Sequence, residues 1–154
     1  MDNKKPRQLV TAAEVDDISR KILTWANGFS EKPVSVIRYE YLEVDSATGD
    51  ETGMAISTIQ GTYITKRYIL GGHQAEYQFK LIYRLKPAKS NDKRLKADAL
   101  LNRFGDWALE NAPNLGDGVR AIKVEPVTQS SKFAAYEDGY EDYQILLKLT
   151  YEVI

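Results

Sequence analysis

Apolar and polar residues alternate one for one from Gln74 to Lys86, QAEYQFKLIYRLK. Ala75, Tyr77, Phe79, Leu81, Tyr83 and Leu85 fall on one side of the alternation, and Glu76, Gln78, Lys80, Ile82 and Arg84 on the other. A pleated strand sends successive side chains to opposite faces, so this stretch predicts a long strand with one buried face and one mostly wetted face. The last stretch of the chain repeats the pattern. Tyr143, Ile145, Leu147, Leu149, Tyr151 and Val153 alternate with Gln144, Lys148, Thr150 and Glu152. The two strands together predict the frame of one sheet.

Around that frame the other elements follow in order. Residues 1–10 are polar, with Pro6 near their middle, and read as a loose arm. Thr11-Ala-Ala-Glu14 is a capping-box pattern, in which Thr11 accepts from the amide of Glu14 and Glu14 reaches back to the amide of Thr11. Val15, Ile18, Ile22 and Trp25 follow at helical spacing, which predicts a helix ending near Gly28. Pro33 opens an extended run, Val34 to Val44, apolar on both faces, and Ser46 to Gly53 has loop composition. Met54–Gln60 and Thr62–Leu70 read as two further strands, and Gly71-Gly72 as a turn into the framing strand. Pro87 ends that strand. Ser90 or Asn91 caps a second helix with Leu95, Leu100, Leu101, Phe104, Trp107 and Ala108 on its apolar face. Gly105 inside that face weakens the helix by roughly 1 kcal/mol relative to alanine. Val119–Val127 reads as a strand with Arg120, Ile122 and Val124 on one face, and Thr128–Asp142 as a long connection.

Helix, four strands, helix, two strands is an α+β order. It predicts a single twisted sheet of about six strands, mixed but mainly antiparallel, with two helices packed on one face. The strand–helix–strand passage through the second helix suggests a right-handed crossover that sets Val119–Val127 parallel to its neighbour. A length of 154 residues suits one domain, 11–154, behind the arm.

Composition narrows the chemistry. Lysine and arginine (21) nearly balance aspartate and glutamate (22), so net charge draws the chain neither to nucleic acid nor to an acidic membrane. No segment approaches a membrane span, and the polar start, Met1 to Arg7, predicts no signal peptide. There is no cysteine, which removes disulfides, thiolate nucleophiles and thiolate zinc sites and suits a reducing cytosol. His73 is the one histidine; between Gly72 and Gln74 it reads as a strand-entry residue. A nucleophile–histidine dyad or a histidine-rich metal site therefore lacks material. Glu137, Asp138, Glu141 and Asp142 form the dense carboxylate group, but without calcium-loop spacing. Gly71-Gly72 and Gly116-Asp-Gly118 match no phosphate-loop fingerprint. Lys66-Arg67-Tyr68 mixes basic and aromatic residues as nucleic-acid surfaces do, and as exposed strand edges also do. This inventory favours a binding or assembly module over an enzyme, with no catalytic residue, metal or cofactor expected.

Ser57 to Ile69 (STIQGTYITKRYI) and the GGHQAEYQF that begins at Gly71 resemble the minor capsid proteins of phages and prophages of Gram-positive bacteria. Ser90-Asn-Asp-Lys-Arg-Leu-Lys-Ala-Asp98 and Tyr136-Glu-Asp-Gly-Tyr-Glu-Asp-Tyr143 resemble the same family, so that the likeness covers roughly residues 54–154. That family is similar to the tail terminators, or tail-completion proteins, of long-tailed phages. The resemblance implies a sheet with helices on one side and a homo-oligomer, a hexameric ring, that caps the tail tube and joins it to the head connector. Tail tube protein and head connector protein are then the partners, with neither membrane nor specific nucleic-acid binding. The implied location is the host bacterial cytoplasm during assembly and then the virion, in its tail or head–tail junction. Competing readings are a stopper or adaptor of the head–tail connector, a tube-forming tail protein, and a small prophage nucleic-acid binder or enzyme. The aromatic residues of the long connection suit an interface, since Tyr and Phe bury large areas at little entropic loss. The candidate contact residues are Phe133, Tyr136, Glu137, Asp138 and Tyr140, with Lys66, Arg67 and Tyr68 as the basic surface on a neighbouring subunit.

Overall fold

A computed structural model describes residues 7–46, 49 and 51–154. Its elements are α1 (Ala12–Ala26), β1 (Arg38–Tyr39), β2 (Gly53–Thr58), β3 (Tyr63–Arg67), β4 (His73–Leu85), α2 (Asn91–Glu110), β5 (Val119–Pro126), β6 (Ser131–Ala135) and β7 (Glu141–Val153). The two alternating stretches are the two longest strands, and they pair antiparallel along their whole length, from His73 opposite Val153 to Leu85 opposite Glu141. The fold is α+β, with one mixed sheet of seven strands rather than about six. The added strand is β6, inside the stretch that reads as a connection.

Each central strand carries its flank in two collinear pieces. β2 and then β3 run antiparallel along β4, and β5 and then β6 run antiparallel along β7. So β5 is not parallel to its neighbour; the parallel pair is β1 with β2. Each half of the chain is a helix followed by a broken strand, a tight turn and a strand of 13 residues. Because β4 and β7 are antiparallel, the two hairpin turns lie at opposite ends of the sheet.

From Ala75 to Leu85 the odd-numbered side chains of β4 face the helices and are buried, and Phe79, Leu147, Ile22 and Phe104 share one core with no exposure. Both helices sit on that face. Trp25 of α1 meets the Phe79 ring edge-on, with centroids 6.2 Å apart, and lies 5.7 Å from Phe104 of α2. Gly105 explains itself here: a Cβ would stand 2.9 Å from Pro126 Cγ and 3.1 Å from Ile145 Cδ1, so its absence lets α2 approach the sheet.

Thr11 and Ser90 cap the helices by accepting from the amides of Glu14 and Lys93. Only half of the capping box forms, because the Glu14 side chain turns away to His73 and Tyr151. Other expectations are corrected. Val34–Val44 holds a two-residue strand, because the Asn27 side-chain amide takes both backbone groups of Ile37 and Glu40 adopts a left-handed φ of 51°. Leu95 is exposed, on the outer side of α2. A bulge between Ala121 and Lys123 turns Ile122 outward while Val124 stays buried. Of the arm, residues 1–6 lie outside the described residues. Gln8 to Val10 run beside β3, with Val10 N donating to Thr62 O and Ile64 N to Gln8 O.

Candidate functional site

The sheet face away from the helices carries the even-numbered residues of β4, among them Lys80 and Arg84. The β6–β7 hairpin lays its aromatic residues against these cations. Lys80 Nζ lies 5.6 Å from the Phe133 ring centre and the Arg84 guanidinium 4.8 Å from that of Tyr136. Lys86, just past β4, lies 5.4 Å from that of Tyr140. Each ring thus has a cation on one side, a contact worth about 0.5–1 kcal/mol where exposed. Phe133 and Tyr136 remain 44% and 43% exposed. The rings thus pack on cations of their own subunit and keep part of their surface exposed.

The four acids divide into two classes. Asp142 is buried; it accepts from Arg84 Nε and Nη2 at 2.7 and 2.8 Å and from the Tyr136 hydroxyl at 2.7 Å. That hydrogen bond holds the Arg84 proton more tightly than usual, and the Asp142 contact also raises the Tyr136 phenol. Glu141 is buried and paired with Arg94, which holds its carboxyl below the ordinary range. Burial pushes the Tyr143 phenol up to about 12. Glu137 and Asp138, by contrast, are exposed at the turn, without an ion pair among the described residues. Asp138 accepts from the Tyr140 amide, and the Tyr140 hydroxyl donates to Glu51.

Lys66, Arg67 and Tyr68 lie at the other end of the sheet, in and after β3. Lys66 pairs with Gln74 of β4, whereas Arg84, beside Tyr136, is near the far end of that strand. A rise of ~3.4 Å per residue puts the two patches roughly 34 Å apart. They therefore do not form one site within a subunit. The Tyr68 hydroxyl donates to Glu152, which also takes Arg120, while Lys66 and Arg67 stay exposed with no ion pair among the described residues.

The sequence reading missed the residue pair beside them. It places Ile69 and Leu70 in a strand, but β3 ends at Arg67, and both side chains are fully exposed on the turn, at 102% and 100%. Tyr68 N donates to Gly72 O and Gly71 N to Tyr68 O, with Gly71 and Gly72 at φ of 98° and 88°. A side chain at Gly72 would also strike the Val153 carbonyl. The Gly-Gly pair was the available signal: it requires the chain to turn before the apolar pair is covered.

His73 Nε2 lies 2.9 Å from Glu14 Oε2, to which the Tyr151 hydroxyl also donates at 2.6 Å, so the histidine tethers the first turn of α1 to the sheet. Among the described residues no three acidic or histidine side chains converge as metal ligands, and no helix is long and apolar enough to cross a membrane. A groove of about 820 Å³ beside α1 is lined by apolar Leu9, Val10, Val15 and Leu23, and its Asp16 and Arg20 pair with each other.

No family model and no curated protein matches this chain. Among solved structures, a chain from the virion of a native gene transfer agent particle is similar with a TM-score of 0.61. The match covers 92% of this chain and 99% of that one at 11% identity, a likeness of fold. A second solved chain, 14% identical over 92% of this chain and 93% of that one, has a TM-score of 0.45 and carries no argument.

Proposed function

We propose that the chain is a structural protein of a phage-like virion, and within it the tail terminator: a ring, hexameric by the resemblance, that closes the tail tube and offers a surface to the head connector. The observation that carries this reading is the fold shared nearly end to end with a chain of a gene transfer agent virion. The resemblance to phage minor capsid proteins points the same way. Two surfaces of different chemistry at opposite ends of one rigid sheet suit a head-to-tail ring, in which each subunit uses a different patch toward each neighbour. The β6–β7 hairpin, with Phe133, Tyr136, Glu137, Asp138 and Tyr140, is the contact surface in this reading, with Lys66, Arg67 and Tyr68 facing it from the next subunit. The virion, after assembly in the host cytoplasm, is its location.

A stopper or adaptor of the head–tail connector is the second reading, since the same likeness of fold supports any ring of a phage-like particle. Particle mass in solution, measured with and without tail tube protein, tests the proposal. A closed ring that binds tubes supports a terminator. Unlimited polymerisation would make the chain a tube former, and salt-sensitive retention on DNA with no assembly would make it a nucleic-acid binder.

A further inference from the structure

The two hairpins close with the same five-residue geometry. In one, Tyr68 N donates to Gly72 O and Gly71 N to Tyr68 O; in the other, Tyr136 N donates to Tyr140 O and Gly139 N to Tyr136 O. Equal backbones carry opposite side chains. One tip presents Ile69 and Leu70, fully exposed, beside the exposed cations Lys66 and Arg67. The other presents half-open aromatic rings beside the exposed acids Glu137 and Asp138. Two adjacent aliphatic side chains left wholly in water forgo the favourable burial of each. Among the described residues nothing covers them. We propose that the Ile69–Leu70 tip is a plug that docks on the Tyr136–Tyr140 tip of a second copy of this chain, head to tail. Complementarity of charge and of apolar surface selects that occupant: Lys66 and Arg67 meet Glu137 and Asp138, while the aliphatic pair covers the exposed parts of Phe133 and Tyr136. The opposite placement of the tips makes the contact heterologous, so it propagates until the ring closes. The inference rests on the reading of the chain as a self-assembling virion protein, and it supplies the second half of that contact.

A cysteine-free chain makes the test clean. In a Leu70→Cys, Glu137→Cys chain the two thiols are at opposite ends of the sheet, so a short bismaleimide links them only between molecules. The expected product on a denaturing gel is a ladder of covalent oligomers, while each single-cysteine chain gives no cross-linked product. No ladder, or equal dimer from either single-cysteine chain, overturns the proposal. Sedimentation velocity provides the second arm. Lys66→Glu with Arg67→Glu abolishes association, Glu137→Lys with Asp138→Lys does the same, and mixing the two variants restores it. Because Leu70 is fully exposed, Leu70→Glu leaves the fold intact and weakens association at least tenfold; unchanged association of that variant also overturns the proposal. A ladder from a chain that never caps tail tubes keeps this contact and ends the terminator reading. Normal capping by Leu70→Glu does the reverse.

Discussion

Arg84→Met tests how the β6–β7 hairpin is fastened to the sheet. The Asp142 side chain is 2% exposed and takes two of its three hydrogen bonds from Arg84, whose side chain is 26% exposed. Methionine keeps the apolar stem but leaves the carboxylate with the Tyr136 hydroxyl as its remaining donor among these. Breaking a buried pair from one side costs about 3–5 kcal/mol. Water can reach the place Arg84 vacates, so the lower end, about 3 kcal/mol, applies, with about 0.5–1 kcal/mol more for the lost contact over Tyr136. Against a typical stability of about 5–15 kcal/mol this is a large fraction. For a urea slope of about 2 kcal/mol/M it moves the unfolding midpoint down by about 1.5–2 M. The control is Arg84→Met with Asp142→Leu, which removes both charges and recovers most of the loss. If Arg84→Met falls within about 1 kcal/mol of the parent while the double variant is less stable, the pair does not hold the hairpin and the electrostatic account of this end is wrong.

Phe79→Ala empties the centre of the core and lowers stability by about 3–5 kcal/mol in the same assay, and a loss under ~1 kcal/mol contradicts the packing described. Gly105→Ala gains about 1 kcal/mol of helix propensity, but its methyl meets Pro126 and Ile145 at about 3 Å, and overpacking of about 1–3 kcal/mol outweighs the gain. A lower melting temperature is expected, and a higher one shows that α2 does not sit so close. Acid pH supplies another check. The Glu141 carboxyl is held below its ordinary range by Arg94, so the unfolded chain takes its proton first. Its contribution is complete above the ordinary value, about 4.3, and is lost as pH falls through the lower folded one. Glu141→Gln therefore flattens the acid limb of a urea-midpoint profile, and an unchanged slope refutes the assignment.

The frame of this fold is written plainly in the sequence because β4 and β7 each bury one face, and local alternation is the direct consequence. The helices were legible from Thr11 and Ser90 as caps and from apolar spacing. What escaped depends on contacts far apart in the chain. Asp142 and Glu141 look like solvated acids until Arg84 and Arg94, 58 and 47 residues away, arrive to pair with them. β6 was hidden by its own irregularity, since the register shifts between Lys132 and Ala134 and the strand is flanked by acids and glycine. Val34–Val44 has strand composition, but its backbone is satisfied by the Asn27 side chain, which no periodicity announces. The candidate contact residues were recognisable as aromatic and charged. Their cation partners Lys80, Arg84 and Lys86, and the placement of the two patches at opposite ends, required the register.

Electron micrographs of tail tubes assembled with and without this protein, the chain carrying a visible tag, address the central claim most directly. A terminator leaves one ring at one end of each tube and stops its growth, so tubes made with the protein are capped and those made without it overgrow. Label found along the tube wall, or on isolated heads with the tubes bare, contradicts the account.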